Sequence, residues 1–426
     1  MSKNSSFFKA LRKASVIFSV LFIAIAMTAC SASPKIVAIE TLSPVRTKTP
    51  ITTPDPEADV TPEDTSDPQD VPDNSNVTTI NIKAVGDIAP QTEILQAAYD
   101  AAGDEYDFNA LFEKVAEDLD SDYTIASFES ISVATSVTAY SGRKSYNTPT
   151  SIYAAIKNAN IDAVTLANSH ILDQGMAGIR STIEAVESAG LDHFGAYTSL
   201  DSANAERYSL VDVKGIKLGI LSYSDEFRQN LNDLSSDEKQ YATNTMVASN
   251  IVSDIQRVRD KGADVVILCM HWGELFTREP NSEQRELAET LLSAGADVIL
   301  GTHAQQVMKI TNKEISRNDG SVGHGIVAYC LGNFVSEYRE QYNDSGIILS
   351  LNITKDNETG EVTIATPEYI PTYINRVSSG AELKFEVLPI YKYTTGSALD
   401  AAALNRMNAA YGEIKAVIGS EAATPK

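Results

Sequence analysis

Two kinds of hydrophobic spacing alternate along the chain from residue 78 onward. Short apolar runs of strand length end in polar or glycine-containing turns at 80–87 (INIKAVGD), 123–130 (YTIASFES), 162–168 (DAVTLAN), 263–271 (ADVVILCMH) and 296–301 (ADVILG). Between them, 92–118, 151–160, 177–190, 247–261 and 281–294 place apolar residues at helical intervals. Gly190 stands just where a helix over 177–190 needs a residue that tolerates positive φ. YSLVDV (208–213) and IKLGILSYS (216–224) flank Lys214-Gly215 and predict a hairpin. Further strands are predicted around 306–311, 325–331 and 345–353, and the tail at 396–418 predicts a helix packed on the outside. Strands alternating with helices imply an α/β domain with a largely buried sheet.

The first 77 residues follow neither pattern. Lys3, Lys9, Arg12 and Lys13 precede an apolar run over 14–29, which is short for a membrane span of ~20 residues and suits the core of a signal peptide. The run ends in Met27-Thr28-Ala29-Cys30, which resembles a bacterial lipobox and predicts lipidation of Cys30. The alternative is an uncleaved anchor with an incidental cysteine; either way the rest of the chain lies on the extracytoplasmic face of the cell membrane. Residues 30–77 are rich in Pro, Thr, Ser and Asp and cannot bury enough apolar surface to offset their ordering entropy, so they predict a disordered linker. The expected organisation is therefore a signal at 1–29, a linker at 30–77, a domain at 78–395 and a helical tail at 396–426.

Charge sharpens this picture. The 426 residues carry 57 Asp and Glu against 34 Lys and Arg, a net charge of −23. Such a surface repels phosphate backbones, which excludes a nucleic-acid partner and a polybasic hold on anionic lipid. Only 3 Cys and 23 Gly exclude disulfide-scaffold and collagen-like classes. Cys269 and Cys330 both sit in apolar runs, either as small core residues or as an extracytoplasmic pair.

In open α/β folds, chemistry gathers just past the carboxyl ends of strands. Behind the predicted strands stand Gly86-Asp87; Glu129; Asn168-Ser169-His170 with Asp173 and Gly175; His271-Trp272-Gly273-Glu274; Gly301-Thr302-His303; and Gly332-Asn333. Three of the five histidines fall in this set, and His193 and His324 do not. Carboxylates, amides and imidazoles on one rim suit a divalent-metal site, in which an ion polarises a phosphoryl group and activates water. Trp272 has two readings, core packing or substrate contact. No Walker loop, G-x-G-x-x-G, G-x-S-x-G or H-E-x-x-H occurs.

In order, AVGDI (84–88), SFES (127–130), DAVTLANSHILDQG (162–175), GIKLGILSYS (215–224), MHWGELFTREPNSEQRELAETLLSAGADVILGTHAQQV (270–307) and YCLGNFV (329–335) resemble the CapA family of poly-γ-glutamate capsule biosynthesis proteins, also called PgsA. The resemblance implies a metallophosphatase-like, calcineurin-like α/β sandwich. It implies metal ligands at Asp87, Glu129, Ser169, His271, His303 and Gln305, catalytic roles for His170, His271 and Asp173, and substrate contacts from Asn168, Trp272, Glu274 and Asn333. The cofactor expected is a divalent metal (Mn, Zn, Fe, Mg or Ca). Two positions depart from the family pattern at the site: Ser169 stands where the family has Asn, and Ala304-Gln305 stands where it has Pro-His. Cys330 also replaces a Ser. A shorter hydroxyl and an amide in place of an imidazole imply lost metal, weaker metal or a shift to a harder cation.

Three functions follow as expectations. The first is a lipid-anchored component in the synthesis or export of poly-γ-glutamate or a related anionic envelope polymer, alongside other capsule-synthesis membrane proteins. The second is an active metal-dependent phosphoesterase, with Asp87, Glu129 and His303 as ligands and His170 as general acid or electrostatic stabiliser. The third is a catalytically silent scaffold of the same fold.

Overall fold

The structure, a computed structural model, describes residues 76–426 apart from 101, 134–138, 228–230, 381, 395–398, 420 and 421. The expected signal, Cys30 and the linker up to residue 75 lie outside the described residues. In chain order the elements are β1 (Val77–Ile88), α1 (Thr92–Ala98), the ribbon β2–β3 (Tyr99–Asp100, Glu105–Tyr106), α2 (Asn109–Phe112), α3 (Ala116–Leu119), β4 (Tyr123–Phe128), the ribbon β5–β6 (Ser141–Arg143, Ser145–Asn147), α4 (Ser151–Asn158), β7 (Ala163–Thr165), α5 (Gly175–Ser188) and β8 (Asp192–Phe194). They continue as α6 (Leu200–Glu206), β9 (Leu210–Val213), β10 (Ile216–Ser224), α7 (Ala248–Asp260), β11 (Val265–Trp272), α8 (Ser282–Ser293), β12 (Val298–His303), β13 (Ile310–Ser316) and β14 (Val322–Ala328). Last come β15 (Asn333–Val335), β16 (Ser345–Asp356), β17 (Val362–Ile364), β18 (Glu368–Ser379), β19 (Glu382–Pro389), α9 (Ala401–Ile418) and β20 (Thr424–Pro425).

Side-chain parity along β11 explains the layering. Val265, Ile267 and Cys269 join a core with Ile80, Ile82 and Ala84 of β1 and Leu349 of β16. Val266, Leu268, Met270 and Trp272 instead pack on Ile251 and Ile255 of α7 and Leu291 and Leu292 of α8. A strand apolar on both faces must be covered on both. One sheet therefore lies against another, with helices outside each. The outer face of the first sheet (Ala126, Phe128, Val164) meets Phe112, Ile156 and Ile183 of α2, α4 and α5. Each fully buried aliphatic side chain contributes about 1.5–3 kcal/mol relative to exposure.

The first sheet runs β19-β18-β16-β1-β4-β7-β8, and the second β13-β14-β12-β11-β10-β9. β1, β4, β7 and β8 are parallel, as are β10, β11, β12 and β14, so both sheets direct strand carboxyl ends to one rim. The result is a two-sheet α/β sandwich, as the sequence implies.

Several element expectations need correction. The stretch 92–118 is not one helix: α1 ends at Ala98, and the chain turns through the ribbon at Gly103-Asp104, where Asp104 takes φ +54°. The strand expected at 306–311 lies at 310–316. β18 and β19 extend the first sheet beyond the last predicted strand. Pro371, paired with Ile347, removes a ladder donor within β18 and masks it in the sequence. The tail helix α9 packs Met407 and Ala410 against Tyr373 and Leu388. Among the described residues, no helix is long and apolar enough to cross a membrane.

Candidate metal centre

Parity carries His271 into the site. It continues the set 265, 267, 269 and so emerges between the sheets, at the end of β11. It pairs in register with Ser224 on one side and Thr302 on the other. Asp87, next to last in β1, lies beside Ser127 and Asn333. Glu129 follows β4, and His303 closes β12.

These ends converge. His271 Nε2 and His303 Nδ1 lie 3.0 Å apart. Glu129 Oε1 stands 3.6 Å from His271 Nε2 and 4.0 Å from His303 Nδ1. All three residues are buried, at 2%, 2% and 0% exposure. Ligands held at about 2.0–2.2 Å from one ion sit roughly 3–3.5 Å from each other at tetrahedral or octahedral angles. The 3.0 Å pair falls in that range and the 3.6 and 4.0 Å separations lie just wider, so the three donors converge closely enough for one divalent ion, and Glu129, His271 and His303 are the residues that would hold it.

The surroundings support that assignment. On the far side of His271, Nδ1 faces Thr302 Oγ1 at 3.1 Å and Asp87 Oδ1 at 3.8 Å. Behind His303, Glu226 Oε2 is 3.1 Å from Nε2. The Thr302 oxygen orients the His271 ring, while Glu226 places negative charge behind His303, whose Nε2 makes no aligned hydrogen bond among the described residues. His303 adopts φ +83°, a strained conformation for a non-glycine residue, and its N–H donates to Asp87 Oδ2 at 2.9 Å. Asp87 Oδ1 accepts from Ser127 Oγ at 2.7 Å. Each Asp87 oxygen thus accepts one hydrogen bond and keeps a further lone pair; Asp87 lies beside the three-donor cluster and positions His303 through its N–H.

Burial shifts these groups in opposite directions. Desolvation, reinforced by the neighbouring Glu129 carboxylate, raises Asp87 to about 6. Desolvation, reinforced by His271, lowers His303 to about 4, so its ring is neutral and ready to ligate at pH 7.

A second group adjoins the cluster. His170 Nδ1 bonds Asp173 Oδ2 at 2.6 Å, and the His170 ring stacks on Tyr146 with centroids 3.7 Å apart. The Tyr146 N–H also donates to Asp173 Oδ2, at 2.6 Å. Ser169, one residue earlier, donates its hydroxyl to Glu129 Oε1 at 3.0 Å and so joins the two groups. Gln305 takes φ +61° and is 5% exposed, and its Oε1 has no hydrogen-bond partner among the described residues. Asn333 Oδ1 is likewise buried without one. Buried carbonyl oxygens that lack donors suit a region built to meet a cation.

Other expected contacts fall elsewhere. Trp272 has the parity opposite to His271; it is 1% exposed, stacks on Tyr329 and donates Nε1–H to Tyr329 O at 3.0 Å, which is core packing. Asn168 uses its amide on Phe128 O and Leu166 O, at 2.7 and 3.0 Å, and accepts from His170 N at 2.8 Å. It shapes the loop that presents His170 and has no donor left for substrate. Asn333 Nδ2 is bound to Asn343 O at 2.9 Å. Glu274 is exposed on the turn after Gly273. Cys269 lies between the sheets and Cys330 on the helix side of the second sheet; both are free thiols, and burial pushes each to about 12.

Sequence reasoning missed Ser127, Tyr146 and Glu226. Ser127 continues the inward parity of Tyr123 and Ile125, a signal available along β4. Glu226 and Tyr146 come from loops and ribbons with no periodicity to read.

Residues 81–338 match the family described as "Bacterial capsule synthesis protein PGA_cap". The chain belongs to that family. A capsule biosynthesis protein CapA of Bacillus anthracis is 30% identical over 184 residues, 42% of this chain and 41% of that protein. A PGA biosynthesis protein CapA of Bacillus subtilis (strain 168) is 26% identical over 209 residues, 49% of this chain and 51% of that protein. The matched segment thus spans about half the length of these relatives or less. Among solved structures, a phosphatase from Mycoplasma pneumoniae is similar at TM-score 0.39 and 15% identity, covering 69% of this chain and 94% of that one. The calcineurin-like phosphoesterase YfkN from Bacillus subtilis is similar at TM-score 0.35 and 13% identity, covering 79% and 98%. Likeness at these scores adds nothing to the two-sheet topology. The PGA_cap match encloses Asp87, Glu129, His170, His271 and His303, so the cluster lies within the family's own span.

Proposed function

We propose that this PGA_cap protein acts on the extracytoplasmic face of the cell membrane, anchored through Cys30, in the synthesis or export of poly-γ-glutamate or a related anionic envelope polymer. Its centre holds a divalent ion at Glu129, His271 and His303. One observation carries the reading: three buried donors from three strand ends lie 3.0–4.0 Å apart, with further oxygens behind both imidazoles. A divalent ion also supplies what a chain of net charge −23 needs in order to hold a polyanion. When bound, it would act as a Lewis acid on a phosphoryl or carbonyl oxygen. His170, fixed through Nδ1 by Asp173, leaves Nε2 for proton transfer beside that centre.

The intact His170–Asp173 pair favours turnover over a silent scaffold, because a lost active site has no need of an aligned imidazole next to its ion. The test has two arms. Deleting the gene in a polymer-producing strain is expected to reduce surface polymer, and unchanged polymer refutes the assigned process. The metal-loaded full chain is expected to hydrolyse an aryl phosphate in a His170-dependent way. Equal rates for wild type and His170→Ala refute the role given to His170, and a metal-loaded wild type with no rate above background refutes a hydrolytic centre.

A further inference from the structure

A cleft of about 400 Å³ opens beside the metal centre, lined by His170, Tyr146, Gln91, Arg143, Lys144 and Glu337 among others. None of its cationic residues is used by the cluster. Arg143 and Lys144 are exposed at the tip of the β5–β6 ribbon, and Lys144 takes φ +61° to make the turn. Gln91 is 2% exposed; its Oε1 accepts from Glu337 N at 2.9 Å, while its Nε2 is buried with no hydrogen-bond partner among the described residues. A buried amide N–H₂ without an acceptor is costly, and a ligand oxygen removes that cost. His170 has Nδ1 engaged by Asp173, which leaves Nε2 as the second ring nitrogen on this wall.

Acceptors are few by comparison. Glu337 Oε2 is occupied by Glu93 N–H at 2.6 Å, and its Oε1 is 3.7 Å from Arg143 Nη2, a loose pair with the Arg143 side chain 72% exposed. The ribbon is also fixed in place. A Cβ at Gly142 would stand 2.2 Å from Gln91 C and 2.3 Å from Thr92 N, so the ribbon lies directly on the backbone that carries Gln91. The cleft adjoins the centre through the chain itself: His170 follows Ser169, whose hydroxyl touches Glu129 at 3.0 Å.

We propose that this cleft is an oxyanion subsite. Arg143, Lys144 and Gln91 Nε2 hold a carboxylate or phosphate group of the substrate whose reacting group reaches the metal centre. The proposal rests on the function proposed above and deepens it: the ion meets the reacting group, and the ribbon tip meets a neighbouring negative charge. Guanidinium and amide N–H groups donate to planar or tetrahedral oxyanions alike, so the shared chemistry is the oxyanion.

Calorimetric titration of the full chain with a γ-glutamyl pentamer and, separately, with inorganic phosphate tests this. At least one probe is expected to bind. The double variant Arg143→Gln/Lys144→Gln is expected to weaken that probe tenfold or more, with bound metal unchanged. Loss confined to the pentamer assigns a carboxylate source, and loss confined to phosphate assigns a phosphate source. Removing the same charge at the opposite end of the second sheet, with Lys217→Gln/Lys261→Gln, is expected to change affinity less than twofold. The subsite is overturned if wild type binds neither probe, if the ribbon variant binds as wild type does, or if the distant pair weakens binding equally. A ribbon-dependent affinity in a chain that takes up no metal supports the subsite while refuting the metal reading.

Discussion

Ser169→Asn perturbs the centre at the point where this sequence leaves its family's pattern. Ser169 is fully buried, and its hydroxyl donates to Glu129 Oε1 at 3.0 Å. Asn adds two heavy atoms in a packed region, which costs about 1–3 kcal/mol where the surroundings cannot yield. Without an ion, the new amide turns its N–H₂ to the Glu129 carboxylate in place of the Ser hydroxyl, and its carbonyl oxygen has no cation to meet. With an ion between them, the same oxygen becomes a ligand. The metal-free variant is therefore expected to unfold about 1–3 kcal/mol more easily than wild type. An ion at a hundredfold excess over its Kd stabilises by about 2.7 kcal/mol, and each tenfold gain in affinity adds about 1.4. The variant should thus recover more on metal addition than wild type does. Ser169→Ala is the control: it removes a hydrogen bond to a charged acceptor, worth about 1.5–3 kcal/mol, and adds no ligand, so its metal response should match wild type. Calorimetric unfolding of the full chain, with chelator and then with Mn, Zn, Fe, Mg or Ca, reads all three. Equal destabilisation of Ser169→Asn with and without every ion would refute the reasoning.

Trp272→Phe should cost about 1–3 kcal/mol, through the lost bond to Tyr329 O and the lost volume, while leaving metal content and probe affinity unchanged. Selective loss of affinity without loss of stability would return Trp272 to substrate contact. Stability of the metal-free protein near acid pH should show two opposed contributions. Asp87, raised to about 6 in the fold against about 3.9 unfolded, contributes stability below pH 4 that is lost as pH rises through 6. His303, lowered to about 4 against about 6.5 unfolded, works the other way: its stabilising contribution appears as pH rises from 4 to 6.5. Asp87→Asn removes the first contribution, so the variant's stability should climb by up to about 3 kcal/mol over that window, more steeply than wild type. In pH-dependent denaturant melts, parallel profiles would contradict the Asp87 assignment, and an Asp87→Asn stability that stays flat from pH 4 to 6.5 would contradict the His303 assignment.

The donors at the strand ends were legible because a polar residue after an apolar run interrupts a strong pattern. Asp87, Glu129, His170, His271 and His303 all announced themselves in that way. Parity could have gone further. Counting alternate residues back from His271 separates it from Trp272 without a structure, and the same count picks out Ser127. What stayed hidden has a physical reason in each case. Glu226 and Gln91 act through loops whose positions depend on tertiary packing. Tyr146 acts from a three-residue strand, too short to show a period. β18 was concealed by Pro371, which reads as a strand breaker although β16 and β19 flank it on both sides. The helix expected over 92–118 failed at Gly103-Asp104, where local turn preference outweighed the helical spacing of the apolar residues around it.

Metal content tests the central claim most directly. The full chain, exchanged against Mn, Zn, Fe, Mg and Ca in turn and freed of loose ions, is analysed by elemental mass spectrometry beside His271→Ala and Glu129→Gln. Glu129, His271 and His303 as a shared site predict roughly one ion per wild-type chain for at least one metal and its loss in both variants. A wild-type chain that retains none of the five, or variants that retain as much as wild type, would contradict it.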